Sequence, residues 1–246
     1  MSGPSRHALT SRGTDGPEAG RTQSGRRCRS GRKGADPAGT GPCHVRERRV
    51  VSMAVTHGED AAMARIPLDP PRTRLFRLAE WYARRTYGVI PDPLAAMGHN
   101  PRVLLTDARF ETSLARWNRL DPTLKALAVM ASAVDIGCSW CVDFGYWIST
   151  QEGVDAAKLR AVPTWRDSDV FTDLERQVMA YAEAVTATPP AVTDEMVAEL
   201  RRRLDDAQLV ELTMMVAVEN VRSRFNSALG LTSQGFRDRC EIPASA

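Results

Sequence analysis

From Pro70 onward, apolar residues recur every three to four positions, and no run alternates with the period of two expected of a half-buried strand. The stretch "PRTRLFRLAEWYARRTYG" predicts a helix with Leu75, Leu78, Ala79 and Tyr82 on one face, ending at Gly88. The two prolines of "VIPDP" break the chain. A second helix opens with Asn100 as cap and Pro101 in its first turn, and its apolar positions are Leu104, Leu105, Ala108, Ala115 and Leu120. In "DPTLKALAVMASAVDIG" the cap and proline are Asp121 and Pro122, and the middle is small and apolar nearly all round. That predicts a helix buried on most sides and ended by Gly137. Another helix begins at or just after Cys138 and runs to Gly153. Two capping boxes, Thr172 with Glu175 and Asp205 with Gln208, open two later helices. The last of these carries the apolar run "MMVAV" and stops at Gly230. The pattern predicts an all-α body of about seven to nine helices.

Charge changes the picture at one end. Residues 1–50 hold 11 Lys/Arg against 4 Asp/Glu, whereas the remaining 196 hold 22 against 26. The basic balance therefore belongs to a tail rich in Gly, Ser, Arg and Pro. It has too little apolar surface to offset chain entropy, so residues 1–62 are expected to be a disordered basic tail. An over-long translation start, with Met53 or Met63 as the true beginning, is the simplest account of it. The body is net acidic and offers no basic stripe for nucleic acid. No stretch approaches the apolar length of a membrane span. Five cysteines, an odd count with no export signal, predict a reducing, cytoplasmic setting.

Two of those cysteines carry the candidate chemistry. In "DIGCSWCVDFGYW", Cys138 and Cys141 lie three apart at a helix start, where unpaired amides and the helix dipole favour a thiolate. A thiolate attacks peroxides or disulfides, and the second cysteine then closes a disulfide. Trp140, Phe144 and Trp147 would wall a pocket. Structural zinc needs four ligands, and this pair supplies two. His57 and His99 stand alone, and Cys28 and Cys43 fall in the tail, so neither metal nor cofactor is expected. Two cysteines packing as small hydrophobes remain the competing account.

The small-residue helix, the Gly-Cys-X-X-Cys turn and the closing helix "DAQLVELTMMVAVENVRSRFNSALG" together resemble the carboxymuconolactone decarboxylase family. Within it, the cysteine pair points to the alkylhydroperoxidase D-like branch. The likeness spans residues 65–236, with residues 237–246 left as a C-terminal tail. The resemblance implies an alkylhydroperoxidase D-like helical bundle, a homo-oligomer, a peroxide or disulfide substrate and an external dithiol reductant. It makes Cys141 the attacking thiol and Cys138 the resolving one, although helix-end physics alone favours Cys138. The family pattern also has a histidine four residues after the second cysteine and a glutamate twelve before the first. Here those positions are Gly145 and Ala126.

With both relay residues absent, Glu219, His99 and Lys125 are the candidate substitutes. Asp143 would raise a neighbouring thiol pKa rather than lower it. Glu219 could equally be held by Arg222 or Arg224, while Asn220, Arg224 and Asn226 are expected to serve the fold or a subunit contact. The leading expectation is a thiol peroxidase or disulfide reductase. The alternatives are a family member converting another small molecule, and a redox-sensing or structural dithiol without turnover.

Overall fold

Capping chemistry sets most of the helix boundaries in the computed structural model, which describes residues 64–241. The expectations for the basic tail, Cys28, Cys43 and His57 lie outside the described residues. Thr73 opens α1 (Arg74–Tyr87) by accepting from the Phe76 N–H, and Gly88 ends it. The short α2 (Asp92–Met97) follows Pro91, so the two prolines of "VIPDP" start a helix instead of only breaking the chain. Proline at a first turn costs no intrahelical bond. Asn100 caps α3 (Pro101–Leu114), and Asp121 caps α4 (Pro122–Ile136). Then come α5 (Ser139–Gln151), α6 (Ala156–Ala161) and a 3-10 turn at Val162–Asp167. Both expected capping boxes form, at the starts of α7 (Asp173–Thr186) and α9 (Asp206–Leu229), with α8 (Asp194–Arg201) between them. A one-turn α10 (Asp238–Glu241) closes the described chain. The fold is all-α among the described residues, with ten α-helices; the extra ones over expectation are short and lie between or after the long ones.

At the centre lies α4, packed against α7, α9 and α5. Its nearly all-round apolar surface is what that position requires: Leu127, Ala128, Ser132 and Ala133 are fully enclosed, and Met130 and Ala131 almost so. Val178, Met179 and Ala182 of α7 and Leu212 and Val216 of α9 complete the main core. No described helix is long and apolar enough to cross a membrane.

One expectation changes, and one set of contacts adds to the picture. In α1 the inward strip is Phe76 and Ala83, while Leu78 and Tyr82 are 63% and 56% exposed. Phe76 seats against Gly98, where even a Cβ would lie 2.7 Å from its ring, and this contact turns the helix away from the face that apolar spacing suggested. The chain also stays packed beyond residue 236. Phe236 is fully buried, and Arg239 donates to the Tyr87 carbonyl at 2.8 Å. The segment after α9 thus packs on the helices as far as Arg239.

Candidate functional site

The turn from α4 to α5 places the cysteines. Gly137 adopts φ +80°, a left-handed conformation that costs glycine nothing, and its N–H bonds back to the Ala133 and Val134 carbonyls. The chain thereby reverses within one residue and Cys138 becomes the N-cap of α5, its Sγ accepting from the Cys141 N–H at 3.2 Å. Cys141 sits one turn on, and the two sulfurs are joined as a disulfide with Cα atoms 5.3 Å apart. Both residues are buried, at 2% and 6% exposure.

Aromatic rings surround the pair. Trp140 stacks on Phe144 with centroids 4.9 Å apart, and Phe144 meets Phe236 edge-on at 5.1 Å. Trp147 and Tyr87 close the group, each against Phe144. The three rings expected to wall a pocket thus pack on one another and on Phe236 as an apolar cover. Asp143 and Gln234 hold that cover in place. The buried Asp143 carboxylate accepts the N–H groups of Gln234, Phe236 and Arg237 at 2.8–3.0 Å. Gln234 in turn accepts from the Trp140 indole at 2.8 Å and from the Asp92 N–H, and donates to the Ile90 carbonyl. Asp143 is thus committed to backbone amides and serves as the latch of the C-terminal segment.

The family relay positions are filled by apolar packing. Ala126 is buried in the core of α4, and one turn along the same face the sulfur of Met130 occupies the space over Gly145. A Cβ at residue 145 would lie 2.7 Å from Met130 Sδ, so a histidine there would collide with it.

The candidate substitutes end up in three different places. Lys125 lies in the first turn of α4, eleven residues and about 16 Å of helix from the end that carries the cysteine turn. It pairs with Glu211 at 2.5 Å and donates to the Trp117 carbonyl, so its ammonium is already engaged at that end of α4. His99 is exposed on the loop before α3, its Nε2 bonded to the Pro67 carbonyl at 2.8 Å. It holds a loop end and does not fold inward. Glu219 is 3% exposed within α9. Burial, partly opposed by Arg222 at 3.5 Å and by the Ser223 hydroxyl at 2.6 Å, pushes its carboxyl up to about 7. Arg222 also clamps Glu111 of α3 through Nε and Nη2 at 2.8 and 2.5 Å.

Asn220, Arg224 and Asn226 do not act together. Asn220 and Arg224 reach Thr186, the last residue of α7, and Thr188 just beyond it, a contact that ties α9 to the end of α7. Asn226 points the other way, its Nδ2 lying 3.3 Å from Cys141 Sγ and 3.9 Å from Cys138 Sγ. Seven residues separate Glu219 from Asn226, a near-integral two turns, so they share one face with Ser223 between them. That polar strip on a core helix is visible in "ENVRSRFN" once residues 219, 223 and 226 are read at helical spacing. Asn226 therefore lies with Glu219 and Ser223, apart from Asn220 and Arg224.

A model of the carboxymuconolactone decarboxylase family matches residues 101–184, which contain α4, the cysteine turn and α5. The uncharacterized protein YnjA of Escherichia coli strain K12 is 34% identical over 182 residues, covering 74% of this chain and 95% of its own. Among solved structures, a peroxidase-related protein with an alkylhydroperoxidase AhpD core from Ralstonia eutropha JMP134 superposes with a TM-score of 0.63. It is 16% identical, covering 71% of this chain and 94% of its own. A cysteine-to-alanine form of the debrominase Bmp8, in complex with 2,3,4-tribromopyrrole, gives a TM-score of 0.63 at 21% identity, covering 74% of this chain and 100% of its own. At these identities the solved structures establish a shared fold and leave the chemistry to be argued from the site.

Proposed function

Because this chain belongs to the carboxymuconolactone decarboxylase family, we propose that it is a thiol-dependent reductase that cycles Cys138 and Cys141 between dithiol and disulfide. The observation that carries the reading is the pair itself, held at disulfide geometry on a helix N-terminus with an amide donor against the sulfur of Cys141. Cysteines that served only as small core residues would have no need of Asn226.

With a hydroperoxide, the Cys141 thiolate attacks the outer oxygen. The O–O bond breaks, the alkoxide takes a proton to leave as an alcohol, and the sulfur becomes a sulfenic acid. The Cys138 thiol attacks that sulfur, the S–O bond breaks, water leaves and the disulfide closes. An external dithiol then returns both cysteines to the reduced state by exchange. The proton that the alkoxide needs is the one Cys141 gave up. Glu219, poised near neutrality and on the same face of α9 as Asn226, is our candidate to store it. Two helical turns, about 10 Å, separate it from Asn226, so transfer has to pass Ser223 and a water. The aromatic cover must open for any substrate to reach the sulfurs.

The test is the rate of Cys138–Cys141 closure when reduced protein meets one equivalent of an organic hydroperoxide, followed by mass spectrometry with Cys141→Ser as control. Rapid, Cys141-dependent closure is the expected outcome; closure no faster than oxidation of a free thiol ends the peroxide reading. A second substrate class is favoured by the loss of the family relay and by the flat rings beside the pair. The same two electrons could remove a halide from an aromatic ring, leaving the C–H product, halide and the disulfide. Faster closure with a brominated pyrrole than with the hydroperoxide would move the assignment there.

A further inference from the structure

Asn226 presents a donor group, Nδ2, and an acceptor, Oδ1, and the disulfide engages only the donor group. Its Nδ2 lies against Cys141 Sγ, whereas its Oδ1 is buried with no hydrogen-bond partner among the described residues. A buried carbonyl without a donor is costly, and the residue is 2% exposed, so bulk water does not relieve it. Disulfide sulfurs carry no hydrogen to offer. Reduction adds two electrons and two protons to the pair, and loss of one of those protons leaves one S–H and one S⁻. That species matches the amide group for group. The thiolate accepts from Nδ2, and the remaining thiol donates to Oδ1.

We propose that Asn226 recognises the half-ionised dithiol and directs the negative charge to Cys141. The inference rests on the thiol-redox reading above. Two donors compete for the charge. The Cys141 N–H and the α5 dipole favour a thiolate on Cys138, and Asn226 favours one on Cys141, to which it lies 0.6 Å nearer (3.3 against 3.9 Å). Other charged groups near the pair are already engaged or distant. Asp143 on α5 is bound to the amides of the C-terminal segment, Asp135 near the end of α4 is exposed, and Glu219 on α9 lies two turns from Asn226. The side-chain amide therefore sets which cysteine ionises first. It would act by direct contact with the reacting sulfur.

Single-thiol proteins separate the two sites. In a Cys138→Ser background, the pH dependence of Cys141 alkylation is read on its peptide by mass spectrometry; the Cys141→Ser background reports Cys138. Asn226→Ala is expected to raise the Cys141 midpoint by about one pH unit, the size typical of losing a hydrogen bond to an ionised group, and to leave Cys138 nearly unmoved. Asn226→Asp keeps the shape and replaces the donor with a carboxylate, so it should raise the Cys141 midpoint further. It also gives the same reading if the alanine variant fails to fold. An unmoved Cys141 midpoint in folded protein, or an equal shift at both cysteines, overturns the proposal. The outcome is independent of turnover. Should the parent protein fail to close its disulfide with peroxide while the midpoint still shifts, the functional reading falls and the role of Asn226 stands.

Discussion

Glu219 is a carboxyl buried in a core helix, and its cost can be measured as a dependence of stability on pH. Burial first, with the nearby Glu111 adding, raises its pKa from 4.5 to about 7, against the lowering effects of Arg222 and Ser223. Each unit corresponds to about 1.4 kcal/mol, so the shift amounts to about 3 kcal/mol. The folded protein holds the proton more tightly than the unfolded chain. The folded state is therefore favoured at low pH, loses stability as pH rises from about 4.5 to 7, and shows the full loss above pH 7. Replacing Glu219→Gln removes the titration while keeping an oxygen that can accept from Ser223. Urea unfolding of the oxidised protein at pH 5, 6, 7 and 8, at one protein concentration, gives the stability of each form. The difference between wild type and Gln variant cancels other groups, including the nearby Asp107, whose carboxyl burial also raises. That difference should move against the wild type by about 2.5 kcal/mol between pH 5 and pH 8. A difference that stays flat with pH would show Glu219 to be ionised throughout and held by Arg222, and would remove it as a proton store.

Four further outcomes follow from the same geometry. Gly145→Ala, which in an open helix gains about 1 kcal/mol, should instead destabilise by about 1–2 kcal/mol because its Cβ meets Met130 Sδ. Chemical denaturation of that variant, of Met130→Val and of the pair should give a double mutant better than the sum of the two. Asp143→Ala leaves three backbone N–H groups without their acceptor, so hydrogen exchange at Gln234, Phe236 and Arg237 should speed at least about tenfold, with a stability loss of about 2–4 kcal/mol. Burial works against ionisation of Glu211, and the Lys125 ammonium overcomes it to help hold that carboxyl below its usual range. Lys125→Met should therefore lower the melting temperature while disulfide closure by peroxide keeps its rate. His99→Ala should likewise leave closure unchanged, since the ring is bound to Pro67 on a loop.

The helices were legible because their signals are local. Asn100, Asp121, the Thr172–Glu175 box and the Asp205–Gln208 box each announce a helix start within four residues, and each forms as read. The all-apolar middle of α4 likewise told of a central helix, since only a helix with neighbours on every side can afford it. The inward face of α1 was not legible. Leu75, Leu78, Ala79 and Tyr82 make a plausible apolar strip, but the face is chosen by Phe76 seating on Gly98, a contact with no trace in local spacing. The role of Asp143 was hidden for the same reason, because its three partners lie about ninety residues away. The cysteine pair was legible as a unit, and its division of labour was not, because that depends on which donor lies over which sulfur.

The missing relay takes a different form once the helices are in place. Met130 of α4 lies over Gly145 of α5 and fills the space that a histidine there would need, while Ala126 is buried one turn before Met130. Restoring the histidine alone would therefore insert a large polar ring into a packed apolar site, costing stability before it could move a proton. On the other side of the pair, α9 carries Glu219, Ser223 and Asn226 along one face of a helix that is otherwise core, and Asn226 reaches the sulfurs. A buried polar strip of this kind is costly to keep unless it is used or fully paired, and here the Asn226 carbonyl is left unpaired. Under the proposed thiol chemistry, the polar groups nearest the pair on this side belong to α9. The search for the chemistry of this chain belongs with substitutions at 219, 223 and 226, ahead of any attempt to rebuild positions 126 and 145.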